Sequence, residues 1–375
     1  MISVSPTKVM AVMLLVLAAS LPFPADAQEP PRTFDHAGLA RQVLERHIVP
    51  GYSRFAEAAR KLSRTLDRDC ERPFGKPPKA VDRDVRELVA AWGRVEHINF
   101  GPVTVDNRLE RILFFPDRRG LGGRQVARAL ETSDPAVTDA TALAGRSVAL
   151  QGLGALDIVL YGPGQSDSNK PEQLAHRCAY ARAIAANLVS LAQAILDEWS
   201  APDGYRQHWL NAGPADSVFV KPSETTLALA KAFNQGLERV RDERLGAALG
   251  HGKQRRKMPA VLDKGSLSLA LAKANLDGLL EMYEIGGMHE AIAPPDVKDD
   301  ADGIAAKANL VAREMKTARD VLAGLERVPK PFEHAPTASR LISVGFPLKN
   351  ARELAHEILT RTANLSLGFN SSDGD

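Results

Sequence analysis

The chain has 375 residues, a net charge of +2 and 44% hydrophobic residues, which is the composition of an ordinary globular protein. Its nearly balanced charge provides no field that would attract nucleic acid or an anionic membrane, so we expect neither as a partner. Aromatic residues make up only 5% of the chain and alanine is abundant, a composition that favours helix over strand.

The first 27 residues have the pattern of a secretory signal peptide. Lys8 supplies the positive charge, residues 9–23 the apolar core, and Ala25-Asp26-Ala27 the cleavage motif. The apolar run of about 15 residues is shorter than the roughly 20 that span a bilayer. We therefore expect cleavage before Gln28 and no membrane span in the mature chain. The cleavage site has no cysteine, which disfavours a lipid anchor.

Cys70 and Cys178 are the only cysteines of the chain. In an oxidising compartment an even number of cysteines suggests a disulfide. Such a bond would join the end of the first long helix to the helix after the central segment. Two separately buried thiols are the alternative.

Apolar residues recur with a helical period along most of the chain, which predicts an all-α protein. The first such segment, residues 35–66, has a break predicted at Pro50-Gly51. The length exceeds what one hydrophobic core usually serves. We expect an N-terminal bundle over 28–200, an irregular linker over 201–222, a C-terminal bundle over 223–370 and a disordered tail over 371–375. The charge-dense segment RVRDERLG, residues 239–246, is predicted to be a solvated helix face, with a role in a site as the alternative.

The central segment of the chain is RSVALQGLGALDIVLYG, residues 146–162, which predicts a buried helix with two glycines inside it. Glycine within a helix costs about 1 kcal/mol relative to alanine. We therefore expect another group to lie close to Gly152 and Gly154. On a 3.6-residue repeat Gly154 and Asp157 share one stripe, so Asp157 is predicted to point across a glycine notch.

A second candidate segment covers residues 97–117. A glycine-proline pair ends the preceding helix, and arginines follow among phenylalanines, before a Phe-Pro-Asp run. A charge that loses water needs a partner, and Asp157 is the candidate partner for the arginines. The alternative is that they are solvated or cap a helix end. The residues concerned are Gly101, Pro102, Arg108, Arg111, Phe115 and Asp117.

These two segments resemble the imelysin-like family of bacterial envelope proteins, which carries a GxHxxE signature at residues 152–157. Gly154 occupies the histidine position and Asp157 the glutamate position, so the signature is degenerate. The glycine-proline turn and the aromatic-Pro-Asp run are also similar to the family's. The resemblance implies an all-α fold of two packed helical bundles and a periplasmic location.

The resemblance also implies that the protein binds a ligand and is associated with the uptake of a metal, with iron as the main candidate. A metallopeptidase is the alternative, but zinc peptidases need about three protein ligands and a general base. The chain has no HExxH motif and its histidines are scattered singly. We therefore expect no catalytic residues. A scaffold for an envelope protein partner, with a decayed site, is the third hypothesis.

The predicted ligand is a metal ion, with iron as the candidate, or a small molecule. Hard cations such as Fe(III) favour oxygen ligands, so Asp157 is the predicted metal ligand. Alternatively, Arg108 and Arg111 neutralise Asp157 and leave a polar pocket for an organic or metal-chelate ligand. The predicted ligand-binding residues are Gly101, Pro102, Arg108, Arg111, Phe115, Asp117, Gly152, Gly154 and Asp157.

Overall fold

The computed structural model describes residues 33–163, 170–251, 257–294 and 303–365. The predicted signal peptide, residues 1–27, and the predicted tail, residues 371–375, lie outside these ranges. Within the described ranges all regular structure is helical and no strand is present. The predicted all-α class is confirmed.

Within the described ranges, π-helical or 3-10 segments continue or precede several of the α-helices. The α-helices are α1 (His36–Val43), α2 (Val49–Asp69), α3 (Lys79–Gly93), α4 (Arg108–Ile112), α5 (Leu121–Glu131), α6 (Ala140–Ala144), α7 (Gly152–Tyr161), α8 (Pro171–Ser200), α9 (Tyr205–Leu210), α10 (Pro222–Glu238), α11 (Ala247–Leu249), α12 (Ser268–Leu280), α13 (Met288–Ile292), α14 (Ile304–Leu325), α15 (Ala335–Ser343) and α16 (Gly345–Thr362). The π-helical segments are Leu44–Ile48, Arg239–Gly246 and Glu281–Ile285, and the 3-10 segments are Gly101–Asn107, Pro135–Val137 and Val148–Leu150.

From Phe34 onward the described chain forms one compact unit. α2 packs against α3 and α8, while α3 also packs against α12, and α14 packs against α12 and α16. α9 lies within the predicted linker and contacts α1 and α8. Its Trp209 is buried and donates a hydrogen bond from Nε1 to the carbonyl oxygen of Ala40, 2.9 Å away. The division into two bundles stays a prediction.

The helix does not break at Pro50, so this detail of the prediction is wrong. α1 runs through the π-helical segment Leu44–Ile48 directly into α2, with Pro50 in the first turn of α2. Proline inside a regular α-helix loses one hydrogen bond and its ring clashes with the carbonyl one turn earlier. The wider π turn before Pro50 relieves both problems, and the apolar face stays continuous.

The predicted disulfide is confirmed. Cys70 and Cys178 are bonded, with their Cα atoms 5.6 Å apart. The bond joins the C-cap of α2 to the third turn of α8, across the contact between the two longest helices of the first half of the chain.

α8 is the helix of the described residues that is long and apolar enough to cross a membrane by length and composition. However, 56% of its most apolar 18-residue stretch is buried inside the protein. Its buried side chains, among them Tyr180, Ile184 and Trp199, belong to the common hydrophobic core. We therefore interpret α8 as a core helix.

Candidate functional site

The two glycines of the central segment have different roles. α7 begins at Gly152, after the 3-10 segment Val148–Leu150, so this glycine starts the helix rather than interrupting it. Gly152 has a φ of +70°, and a Cβ there would lie 2.3 Å from the carbonyl oxygen of Ile112. A Cβ on Gly154 would meet no atom within 4 Å. The expectation of a close neighbour is confirmed for Gly152 and wrong for Gly154, which faces open space.

Asp157 lies one helical turn after Gly154 and is only 4% exposed. Its carboxylate accepts hydrogen bonds from two successive backbone N–H groups, that of Lys264 at 3.0 Å and that of Gly265 at 2.7 Å. A Cβ on Gly265 would lie 2.9 Å from Asp157 Oδ1, so only glycine permits this approach. Burial raises the pKa of Asp157 to about 6, although the two N–H groups act in the opposite direction.

A cavity of about 270 Å³ lies beside Gly154 and Asp157. Its walls come from three parts of the chain: residues 113–123, residues 149–158 around the start of α7, and the loop 258–264. Most of the lining is apolar, contributed by Leu113, Phe114, Phe115, Ala149, Ala155, Ile158, Met258, Pro259, Ala260, Val261 and Leu262. Its charged lining residues are Asp117, Asp157, Asp263 and Lys264.

Four of the predicted ligand-binding residues meet at this cavity, namely Phe115, Asp117, Gly154 and Asp157. The carboxylate of Asp117 accepts hydrogen bonds from the N–H groups of Leu121 and Gly122, both at 2.8 Å. Asp117 therefore holds the first turn of α5 at the cavity wall.

The predicted pairing of Arg108 and Arg111 with Asp157 is wrong. Arg108 donates to Glu198 Oε1 at 2.6 Å and to the carbonyl oxygen of Pro102 at 2.9 Å. Arg111 donates to Gln151 Oε1 and to Asn187 Oδ1, both at 3.1 Å. The short helix α4 directs both arginines toward α8, whereas Asp157 faces the loop 258–266. Both arginines are partly buried, and neither lines the cavity.

Gly101 and Pro102 also lie away from the cavity lining. Gly101 has a φ of +69°, and a Cβ there would lie 2.8 Å from Cε1 of Tyr205 and 3.0 Å from Cζ2 of Trp199. The turn thus lets the backbone pass close to an aromatic cluster that includes Phe100 and Trp209. Its role in the fold is packing.

Sequence reasoning missed the loop 258–264, which contributes about a third of the cavity lining. This loop has no helical period and precedes α12, so no pattern in the sequence places it against α7. The glycine at 265 is the one local signal, because glycine permits close approach of backbone to another group.

A buried polar cluster that sequence reasoning also missed lies near the cavity. Glu96 forms an ion pair with Arg244 and accepts a hydrogen bond from Asn275 Nδ2 at 2.8 Å. Burial acts to raise the pKa of Glu96, but Arg244 and Arg239 outweigh it and hold the pKa below its ordinary value. Arg244 is 2% exposed and its Cζ lies 5.0 Å from the centre of the Phe115 ring. For Arg244, the prediction of a solvated face is wrong.

Two buried histidines extend this cluster. His47 and His97 share a hydrogen bond between their Nε2 atoms, which are 3.0 Å apart. Burial, together with Arg54 and Arg94, lowers the pKa of His47 to about 3, so it is neutral at physiological pH. His47 and Arg244 each lie on a π-helical segment, a geometry that is frequent at functional sites.

The described residues include no group of three His, Cys, Asp or Glu side chains close enough to hold a metal ion. Asp157 therefore has no second and third protein ligand of these types in that part of the chain. What the cavity offers is one buried carboxylate at the edge of an apolar space. The assignment of Asp157 as a metal ligand stays a prediction.

Comparison with known proteins identifies the family of the chain. The sequence profile of the imelysin family, described as peptidase family M75, matches residues 48–343. No protein of curated function matches the chain. An imelysin-like protein of Psychrobacter arcticum 273-4 has a similar structure, with a TM-score of 0.69, 20% identity, and coverage of 89% of this chain and 97% of that one.

A second similar structure comes from Parabacteroides distasonis ATCC 8503, a protein provisionally assigned as an iron-regulated protein A precursor. It has a TM-score of 0.68 and 10% identity, over 88% of this chain and 97% of that one. At such identities the two structures establish the fold alone. Because the family profile covers most of its length, the chain belongs to the imelysin family.

Proposed function

We propose that this protein is an exported, periplasmic binding protein that takes part in iron uptake without catalysing a reaction, and that the cavity beside Asp157 is its binding site. Export is supported by the signal-like pattern of residues 1–27. The relation to iron is supported by the family and by the name of the Parabacteroides protein, an iron-regulated protein A precursor.

The observation that carries the proposal is the environment of Asp157. Asp157 is 4% exposed and lines the cavity, and no Lys, Arg or His side chain of the described residues forms an ion pair with its carboxylate. A buried carboxylate without a cationic partner costs several kcal/mol. A positively charged ligand in the cavity would offset that cost.

A resident catalytic zinc does not fit these residues. Such a site needs about three protein ligands and an open position, and the described part of the chain offers no group of three suitable side chains. Gly154, at the position of the family's histidine, supplies no donor atom. We therefore derive no hydrolytic step, and iron enters the proposal as cargo that brings other ligands with it.

Iron binding by the purified mature chain, residues 28–375, tests the proposal. Fe(III), Cu(II) and Zn(II) are each supplied as 1:1 complexes with benzohydroxamate, which are cationic, and bound metal is measured by elemental analysis after dialysis. Asp157→Ala removes the carboxylate, and Gly154→Leu fills the cavity, since a Cβ on Gly154 meets no atom within 4 Å. Gly324→Leu is the control, because Gly324 is also helical but lies on the exposed surface, where a Cβ would meet only Arg340 Nη2, at 4.0 Å.

We expect about one equivalent of iron in the wild type and in Gly324→Leu, and little in Asp157→Ala or Gly154→Leu. Equal iron in all four proteins would place the iron elsewhere, and no iron in the wild type would favour the scaffold hypothesis. Cleavage of a peptide library by the wild type would favour the peptidase instead. Cell fractionation with and without residues 1–27 tests export, and a periplasmic pool that depends on those residues is expected.

A further inference from the structure

The charges that line the cavity are unequal. Three acidic residues line it, Asp117, Asp157 and Asp263, and only one basic residue, Lys264. The side chain of Lys264 is 45% exposed, and its Nζ lies 3.8 Å from Asp263 Oδ2. Lys264 is thus associated with Asp263 at the surface, and the net charge of the lining residues is negative.

Asp157 is the acidic group that a ligand inside the cavity would meet. Asp117 uses both carboxylate oxygens to hold the first turn of α5, and Asp263 is 55% exposed. Asp157 accepts two backbone N–H groups, but a carboxylate has about four acceptor positions. It can therefore still accept hydrogen bonds from a ligand.

Phe115 offers the apolar part of the ligand an aromatic contact. Phe115 lines the cavity, and the buried guanidinium of Arg244 lies 5.0 Å from the centre of its ring. The charge of Arg244 is balanced by its ion pair with Glu96, so the Phe115 wall offers the ligand an apolar ring and no free charge. The lining therefore favours a positive charge at Asp157 and an apolar group against Phe115.

The size and the walls of the cavity do not suit a bare metal ion. A small hard cation needs several oxygen ligands or its own waters, whereas most side chains here are apolar. The volume of about 270 Å³ lies just below the range of about 300–1,000 Å³ that is usual for ligand pockets. The apolar walls and this volume suit a small ligand with an apolar body.

We propose that the cavity selects a small ligand that carries a positive charge on an apolar body, with the charge placed at Asp157. Organic ammonium ions and cationic metal chelates share this chemistry. The inference rests on the proposed function only in taking this cavity as the binding site.

Matched probes test the inference by isothermal titration calorimetry on the mature chain. The metal-free pair is 2-phenylethylamine, which is cationic at pH 7.5, and 2-phenylethanol, which has a similar shape and no charge. The metal pair is the 1:1 complex of Fe(III) with benzohydroxamate, which is cationic, and neutral benzohydroxamic acid. In at least one pair we expect the cationic member to bind about tenfold or more tightly, as a desolvated charge pair permits.

Three variants test whether Asp157 causes the preference for the cationic probe. Asp157→Asn should reduce the preference to less than about threefold and leave the affinity for the neutral probe unchanged. Asp263→Asn removes an acid from the same lining and should preserve the preference, because Asp263 is solvated. Gly154→Leu should abolish binding of all probes.

The outcomes distinguish a failure of the charge preference from a failure of the cavity as a binding site. If only the amine shows the preference, the ligand is an organic ammonium, and if only the iron complex does, it is a cationic chelate. Equal affinities within both pairs would overturn the charge preference and leave the cavity as a binding site. Binding that persists in Gly154→Leu, or no binding of any probe, would overturn both. The comparison of probes in the wild type does not depend on whether any variant folds.

Discussion

Gly152 and Gly154 are two positions apart, yet they face opposite kinds of environment. Gly152 has a left-handed φ of +70° and lies against the backbone carbonyls of α4, whereas Gly154 lies in the first turn of α7 beside the cavity. From the sequence, both glycines are assigned the same free-energy cost relative to alanine. The sequence shows the type and spacing of residues, but it does not show their φ angles or their neighbours in space.

Alanine at each position should therefore change stability in opposite directions. Gly154→Ala should raise the free energy of unfolding by about 0.5–1 kcal/mol, since alanine is the better helix former and meets no atom. Gly152→Ala should lower it by about 2 kcal/mol or more, because the new Cβ is strained at this φ and clashes with a carbonyl oxygen. Urea denaturation monitored by circular dichroism measures both, and equal effects would contradict the geometry.

His47 gives a residue-level prediction about acid stability. Burial lowers its pKa to about 3 in the folded state, from an ordinary value of 6.5. Below pH 6.5 the unfolded chain therefore binds a proton that the folded protein does not, so stability falls as the pH falls toward 3. One such group contributes about 1.4 kcal/mol per pH unit, or about 2 kcal/mol between pH 7.5 and pH 5.

The variant His47→Gln isolates this contribution, because glutamine can hydrogen bond to His97 and does not titrate. The free energy of unfolding is measured by urea titration at pH 7.5 and at pH 5. Its decrease from pH 7.5 to pH 5 should be about 2 kcal/mol smaller in this variant than in the wild type. The same difference between the two pH values in both proteins would show that His47 is not the titrating group.

Among the elements, the three π-helical segments each place a polar side chain against residues 94–97, just after α3. Leu44–Ile48 carries His47, Arg239–Gly246 carries Arg239 and Arg244, and Glu281–Ile285 begins with Glu281, which pairs with Arg94. A π turn shifts the side chains that follow it relative to a regular α-helix. It thereby allows charged residues to point inward from helices that are otherwise amphipathic.

The ion pair between Glu96 and Arg244 joins α3's C-terminal turn to the second π-helical segment. Arg244→Met should lower the free energy of unfolding by about 3–5 kcal/mol, because it leaves the Glu96 charge buried without its partner. Adding Glu96→Gln should recover much of the loss, since the remaining groups are neutral. Thermal and urea unfolding of the two single variants and the double variant form the cycle. Additive losses would show that the pair does not interact.

For the whole molecule, the disulfide is the strongest constraint that the sequence suggested. Cys70 and Cys178 are 108 residues apart, so the bond closes a long loop and restricts the unfolded chain. Replacing both cysteines with serine should lower the free energy of unfolding by about 2–4 kcal/mol. Urea unfolding of the oxidised wild type and the double variant measures the difference. The wild type unfolded in reducing agent provides the control and should resemble the variant.

The all-α class and the helix after the central segment, α8, could be predicted because a helix's apolar period is local to the chain. The pairing of the two cysteines was also accessible, since only one intramolecular pair exists. The family followed from short motifs, among them the glycine-proline turn and the degenerate signature at residues 152–157. These features depend on neighbours in sequence or on residue counts, and the sequence by itself determined them.

The tertiary structure alone decided which charges meet. Asp157 binds the backbone of Lys264 and Gly265, more than a hundred residues away, while Arg108 and Arg111 turn to Glu198, Gln151 and Asn187. Arg244 belongs to a charged run that is typical of a solvated face, yet packing places it in the interior. Such pairings depend on how distant helices and loops pack together, which no local period encodes, and the cavity that they enclose has the same origin.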